Sequence, residues 1–410
     1  MSIRPAALPA LKAVQAGLAL TTEALAHELA SPGERAPDWS ELEWRLACAV
    51  SAAHGVSTLL SESLAWRGPV EWQRFLAAQR EHIAQRHRRI AELLERIDAA
   101  ARSAGIAIVP LKGAALHELG VYAAGQRPMA DIDLLVRDED VEPTLRMLED
   151  LGYYLSFVTW RHHVLKPRIG SPSPELGEHR DNPINVELHT RVQERLPIST
   201  VDISAQIFPR SPRPGLNRYP SRAALMTHLL LHAAGNVRGR GLKLLQLHDI
   251  ALLASRMRES DWDELRRAGV DGRLWWALPP LRLIARYRSS AIPRDLLGLI
   301  EPTCPWLLRL HSRHQTLTSV SCSKLWIEAF PGIEWSRSAA EMCEYLARRI
   351  RPSAEAIKER ADSARTQLYM SEQAWARLSQ SRRMLRWLLV QSPRLDTMFV
   401  VRAALQPVDP

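Results

Sequence analysis

Apolar residues recur at helical spacing over the first hundred positions. Leu8, Leu11, Val14, Leu18 and Leu25 mark one stripe, and Leu42, Leu46, Val50 and Ala53 mark a second between Trp39 and Leu64. A third, on Phe75, Ile83, Ile90, Leu94 and Ile97, predicts a long amphipathic helix over 70–104. The pattern changes at Gly105. Ile106–Leu111 reads as a buried strand ending at Lys112-Gly113, Ala114–Val121 as a helix, and Asp131–Val136 as a second strand. Glu139–Leu151 reads as a helix closed by Gly152. Tyr153–Val158, His162–Ile169 and Ile184–His189 are further strand candidates, separated by turns rich in Pro, Gly and Ser. Between 201 and 219 stand Pro209, Pro212, Pro214 and Gly215, which suggest a linker. Helical spacing then returns over 221–234 and 242–257 and continues towards Leu405, with breaks expected at Pro279-Pro280, Pro293, Pro302, Pro305, Pro331 and Pro352. The pattern predicts an α+β protein: a small mixed β-sheet core with large N- and C-terminal helical regions. The expected division is a helical region over 1–104, an α/β core over 105–200, a linker over 201–220 and a C-terminal helical domain over 221–410.

Composition narrows the class. With 410 residues, 46% hydrophobic and 24% charged, the chain has ample material for a packed core and is not a disordered polymer. Four cysteines, none at CxxC spacing, argue against a disulfide scaffold and a thiolate zinc site and suit a reduced, cytoplasmic setting. No stretch reaches the roughly 20 apolar residues that span a bilayer. The apolar run near the N-terminus is interrupted by Glu23, so no membrane partner is expected. The net charge is +9, and only six of the 54 basic residues are lysine. Guanidinium groups suit anionic ligands such as phosphate. The arginines are nevertheless interleaved with Glu and Asp along helical patterns, which argues for a solvated surface rather than nucleic acid.

Chemistry concentrates in Pro110–Ala115 and Arg127–Val136. Asp131 and Asp133 stand two apart in a strand and therefore share a face, while Ile132 and Leu134 face the core. Two carboxylates about 4 Å apart repel by about 4 kcal/mol at an effective dielectric near 20. A cation between them relieves that cost, and an all-oxygen donor set suits Mg²⁺ or Mn²⁺ bound together with phosphates. Gly113 lies between a strand and a helix, where backbone N–H groups can hold phosphate, and Lys112 stands at the same turn. Asn185-Val186-Glu187-Leu188-His189 places Glu187 and His189 on one face of another strand. Asp131, Asp133 and Glu187 thus form the candidate catalytic and metal-binding set, with Glu187 as ligand or base.

The run LKGAALHELGVYAAGQRPMADIDLLV, followed by LGYY and INVELH, resembles the uncharacterised nucleotidyltransferase family of the DNA polymerase beta superfamily. The resemblance is strongest over 106–190 and extends weakly to LLLH at 229–232 and LKLLQLHD at 242–249. It implies a nucleotidyltransferase core, an NTP co-substrate with Mg²⁺ or Mn²⁺, and transfer of NMP to a small-molecule, peptide or protein acceptor. The family's Lys-Gly turn and Arg-Pro-x-x-Asp-x-Asp motif are met by Lys112-Gly113 and Arg127–Asp133. Two positions depart from the wider superfamily: Ala114 replaces a serine, and Glu187 stands where aspartate is common. The alternative is a binding or antitoxin-like regulatory module without turnover.

Nucleotide-binding candidates are Lys112, Gly113, Arg127, His189 and Lys243. Arg127 can grip phosphate with two hydrogen bonds or pair with Asp138 or Glu139, and His189 can orient Glu187. Asp249 is expected to cap or bond locally. His162 and His163, adjacent in a strand, face opposite sides and read as structural. His228 and His232 resemble half of a zinc site without a third ligand.

Overall fold

The computed structural model describes residues 8–173, 175–358, 361 and 378–406. Its longest described helix is the one expected over 70–104. The N-terminal helices are α1 (Leu11–Ala30), α2 (Glu41–Ala53), α3 (Ser57–Ser63) and α4 (Val70–Ala104). Gly105, at φ 72°, ends α4 in the left-handed conformation that costs glycine least. The stripe that α4 buries is Trp72, Leu76, Gln79, Ile83, Arg86, Ile90, Leu93, Ile97 and Ala101, so Phe75 and Leu94 sit beside it. Gln79 and Arg86 are polar residues where the spacing calls for apolar ones.

The α/β core then follows as β1 (Ala107–Pro110), α5 (Lys112–Glu118), β2 (Asp131–Leu135), α6 (Val141–Asp150), β3 (Tyr153–Val158), β4 (His162–Pro167) and β5 (Asn185–His189). A hairpin of β6 (Gln193–Arg195) and β7 (Thr200–Asp202) and a short α7 (Ser204–Ile207) lead to β8 (Gly215–Leu216). One mixed sheet forms in the order β3-β4-β5-β2-β1-β8. Within it β2 runs parallel to β5, and β1 antiparallel to β2. The segment expected as a linker, 201–220, thus supplies the edge strand beside β1.

Alternation sorts the sheet into two faces. Ile132, Leu134, Val186, Leu188 and Leu165 pack with Ile90, Leu93 and Ile97 of α4 and Met147 and Leu148 of α6 in one apolar cluster. At about 25 cal/mol per Å² of apolar area, this burial anchors the sheet to α4 and fixes which residues face away. Those are Asp131, Asp133, Asn185, Glu187, His189 and His162.

The remaining helices begin with α8 (Arg222–Gly239) and α9 (Leu244–Ala254). They join α1 and α2 in a second apolar core, which includes Leu25, Leu46, Leu230, Leu281 and Val401. Pro279 and Pro280 stand at the expected break, after one helix has ended at Val270 and just as the next has begun at Leu278. They occupy the first turn of Leu278–Tyr287, where a missing N–H costs nothing. No helix among the described residues is long and apolar enough to cross a membrane.

Candidate active site

Parallel pairing of β2 with β5 brings the distant acidic residues together. Asp131 stands opposite Asn185, Asp133 opposite Glu187, and Leu135 opposite His189. Antiparallel β4 adds His162 opposite His189. Asp131, Asp133, Glu187 and His189, 58 positions apart at the extremes, therefore share one patch.

Lys112 completes it. This non-glycine residue has φ 49°, in the left-handed region, which costs about 1–2 kcal/mol. Its ammonium reaches back to Asp133 Oδ1 at 2.7 Å. His189 Nε2 lies 3.1 Å from the same oxygen and 3.7 Å from Glu187 Oε2. His162 Nε2 lies 3.6 Å from Glu187 Oε1.

The two aspartates are in opposite electrostatic states. Burial pushes the Asp133 carboxyl up, but the Lys112 charge and the His189 hydrogen bond outweigh it and hold it well below the usual range. For Asp131, burial and the charges of Asp133 and Glu187 raise the carboxyl to about 7. Among the described residues no hydrogen bond or ion pair reaches the Asp131 side chain. Burial opposes the charged forms of Lys112 and His189, yet the carboxylates raise the pKa of both. Burial lowers His162 to about 4 and leaves its ring neutral. A divalent cation fits this donor set, because it would supply the charge that Asp131 lacks beside Asp133 and Glu187.

Two clefts of ≈ 490 Å³ and ≈ 440 Å³ lie next to the start of β2 and share Ala130, Pro172, Glu178 and Asn182 along their walls, while Lys112 and His189 line a third, small pocket of ≈ 30 Å³. Ala130 immediately precedes Asp131, and Asn185 lines the smaller cleft. Lys243, exposed just before α9, lines the larger one, and its charge favours ionised Asp131.

Arg127 and Gly113 are occupied differently. The Arg127 guanidinium makes two bonds to Asp249, at 2.8 and 2.7 Å, and Tyr122 donates a third at 2.7 Å. Asp249 therefore bonds across the fold rather than locally, and Arg127 pairs with neither Asp138 nor Glu139. Gly113 is buried at the start of α5. A Cβ there would come within 2.3 Å of Arg127 Nη1 and 2.7 Å of Met129 Sδ, so its lack of a side chain makes room for the arginine. His228 is engaged by the Tyr219 hydroxyl at 2.7 Å, and His232 approaches Asn236 at 3.3 Å. Both imidazoles are kept neutral, burial being the main cause.

Three contributors escaped the sequence reading. Arg86 donates to the carbonyls of Met129, Ala130, Asn182 and Pro183, at 2.9, 2.7, 2.6 and 3.1 Å. It thereby ties together the residues that enter β2 and β5 just ahead of Asp131 and Asn185. Gln79 donates to the carbonyls of Leu176 and Glu178 and accepts from the Glu178 amide. A polar residue inside an otherwise apolar stripe was the available signal for both. His162, read as structural, faces Glu187, while His163 faces away as alternation requires.

A family model described as uncharacterised nucleotidyltransferase matches residues 40–285, from the cap of α2 through α9 and beyond. The chain belongs to that family. The match covers every element that builds the carboxylate patch and the Arg127–Asp249 pair. No curated protein and no solved structure matches the chain.

Proposed function

We propose that this nucleotidyltransferase-family protein moves a nucleoside monophosphate from an NTP to a hydroxyl or other nucleophile of a small-molecule, peptide or protein acceptor. The observation that carries the reading is the Asp131 carboxylate, without a partner among the described residues and raised to about 7, beside Asp133 and Glu187 and next in the chain to Ala130, which lines both clefts. Asp131, Asp133 and Glu187 would hold Mg²⁺ or Mn²⁺, which when bound supplies positive charge to the triphosphate and to the leaving pyrophosphate. Lys112 holds Asp133 ionised and in place. Lys243, exposed at the wall of the larger cleft, is placed to meet phosphate oxygens. His189 orients the Glu187 and Asp133 carboxylates. Glu187 takes the proton of the acceptor hydroxyl as its oxygen bonds to the α-phosphorus and the bond from phosphorus to pyrophosphate breaks.

A reading without turnover rests on one observation: Asp133 Oδ1 already has a cation, the Lys112 ammonium at 2.7 Å. Labelled NTP with Mg²⁺ separates the two. Pyrophosphate release by wild type, abolished in Asp131→Asn/Asp133→Asn, supports transfer. Saturable NTP binding with equal, background release in both proteins supports the binding module.

A further inference from the structure

Two groups of His and carboxylate ligands lie close enough to hold an ion: His82, Glu175 and His179, and His162, Glu187 and His189. In the first, the Nδ1 atoms of both histidines accept from backbone amides, of Arg180 and Asp181. That places the ring protons on Nε2 and leaves no lone pair free for a metal. The second group is different. His162 Nε2 and His189 Nε2 both turn towards Glu187, at 3.6 Å from Oε1 and 3.7 Å from Oε2. The edge of a tetrahedron with metal–ligand bonds of about 2.0–2.1 Å is about 3.3–3.4 Å, and the three ligand atoms already lie within 4.8 Å of one another, so closing around a cation draws them together. The ligands stand on adjacent strands whose other face is locked into the apolar core, so their spacing is set by the sheet. His189 Nε2 carries the proton that it donates to ionised Asp133, so a metal displaces one proton here against two in the first group, and Asp133 keeps Lys112 as its cation.

We propose that His162, His189 and Glu187 form a Zn²⁺ site, whose mixed nitrogen and oxygen donors differ from the oxygen-only set of Asp131, Asp133 and Glu187 and which shares Glu187 with it. Two imidazoles and one carboxylate leave a fourth position open, as in zinc sites that activate a bound ligand. With zinc bound, Glu187 is a metal ligand rather than a base, so the site bears on the proposed transfer reaction by deciding which role Glu187 has, but its existence does not depend on that reaction.

The test is a Co²⁺ titration of the full chain without nucleotide, in excess Mg²⁺, followed by the visible d–d absorption of tetrahedral cobalt and by Zn²⁺ competition. The expected result is one equivalent bound and displaced by Zn²⁺. Binding should weaken at least about tenfold in His162→Ala and in His189→Ala, and stay unchanged in His163→Ala and Asp131→Asn. His162→Asn and His189→Asn, checked by circular dichroism, replace any alanine variant that fails to fold. In addition, Zn²⁺ should raise the melting temperature of wild type but not of the asparagine variants. Absence of stoichiometric binding, displacement by Mg²⁺, or equal binding by the histidine variants overturns the proposal. So does a loss confined to Asp131→Asn. Cobalt binding without pyrophosphate release leaves this site standing and removes the transfer reading; the reverse pattern does the opposite.

Discussion

Lys112 and Gly113 are neighbours in the chain, yet they touch two charge clusters of different kinds. Behind Gly113, Arg127 and Asp249 make a one-to-one pair with two hydrogen bonds, closed by Tyr122, with side chains only 10% and 2% exposed. In front of Lys112, three carboxylates share one ammonium and the rings of His189 and His162, and Asp131 has no partner among the described residues. The first cluster is electrostatically complete and holds α9 to the loop before β2. The second is one cation short, and it adjoins Ala130 and Asn185, which line the clefts. Buried charge is costly in both places. Completion marks a structural tie, whereas an incomplete cluster at a cleft marks a place kept for a ligand.

Mutations at the two clusters should therefore fail in different assays. The largest expected effect is on chemistry. Asp131→Asn/Asp133→Asn should cut pyrophosphate release by about 10⁴-fold, or about 5.5 kcal/mol, in a protein that still folds. Retained release would dissolve the contrast. Next is Arg127→Ala, which strands Asp249 and should cost about 3–5 kcal/mol of stability by denaturant titration. A variant as stable as wild type would show that this pair is no structural tie. Gly113→Ala pushes a methyl group towards the guanidinium and should cost about 1–3 kcal/mol, read as a lowered melting temperature.

The smallest effect is on pH dependence. The folded Asp131 carboxyl titrates at about 7, above its unfolded value of 3.8. Its contribution is therefore full below the unfolded value and lost as pH rises through about 7. Asp131→Asn should gain on wild type between pH 5 and 7.5, by about 1 kcal/mol once solvent screening is allowed for. Asp133 behaves oppositely, since its lowered carboxyl stabilises the fold above the unfolded value and loses that contribution as pH falls. A flat difference between wild type and Asp131→Asn would mean that Asp131 already has a cation.

Much of this was legible along the chain. Helix α4 spans the expected 70–104, and β3 matches its predicted bounds because alternation and turn residues are local signals. The Asp131 and Asp133 face followed from a period of two. The alignment of Glu187 with Asp133 needed the register of β2 against β5, which a side-chain pattern on either strand cannot supply. Arg127 shows the limit most clearly. Its fork suits phosphate equally well, and the competing acceptor, Asp249, lies 122 residues away. Alternation parts His162 from His163, and the same alternation turns it towards Glu187, on a strand that the sequence does not pair with β5. Pro209, Pro212 and Pro214 spoke for a linker, and the short β8 beyond them had too few residues to show a period.

The sequence by itself determined the helical stripes, the strands and the two aspartates on one strand face, since these depend on backbone geometry a few residues long. Tertiary structure alone decided which charges are paired and which is left without a partner, because that balance is struck between side chains separated by tens to hundreds of residues in a medium where each unpaired charge is expensive.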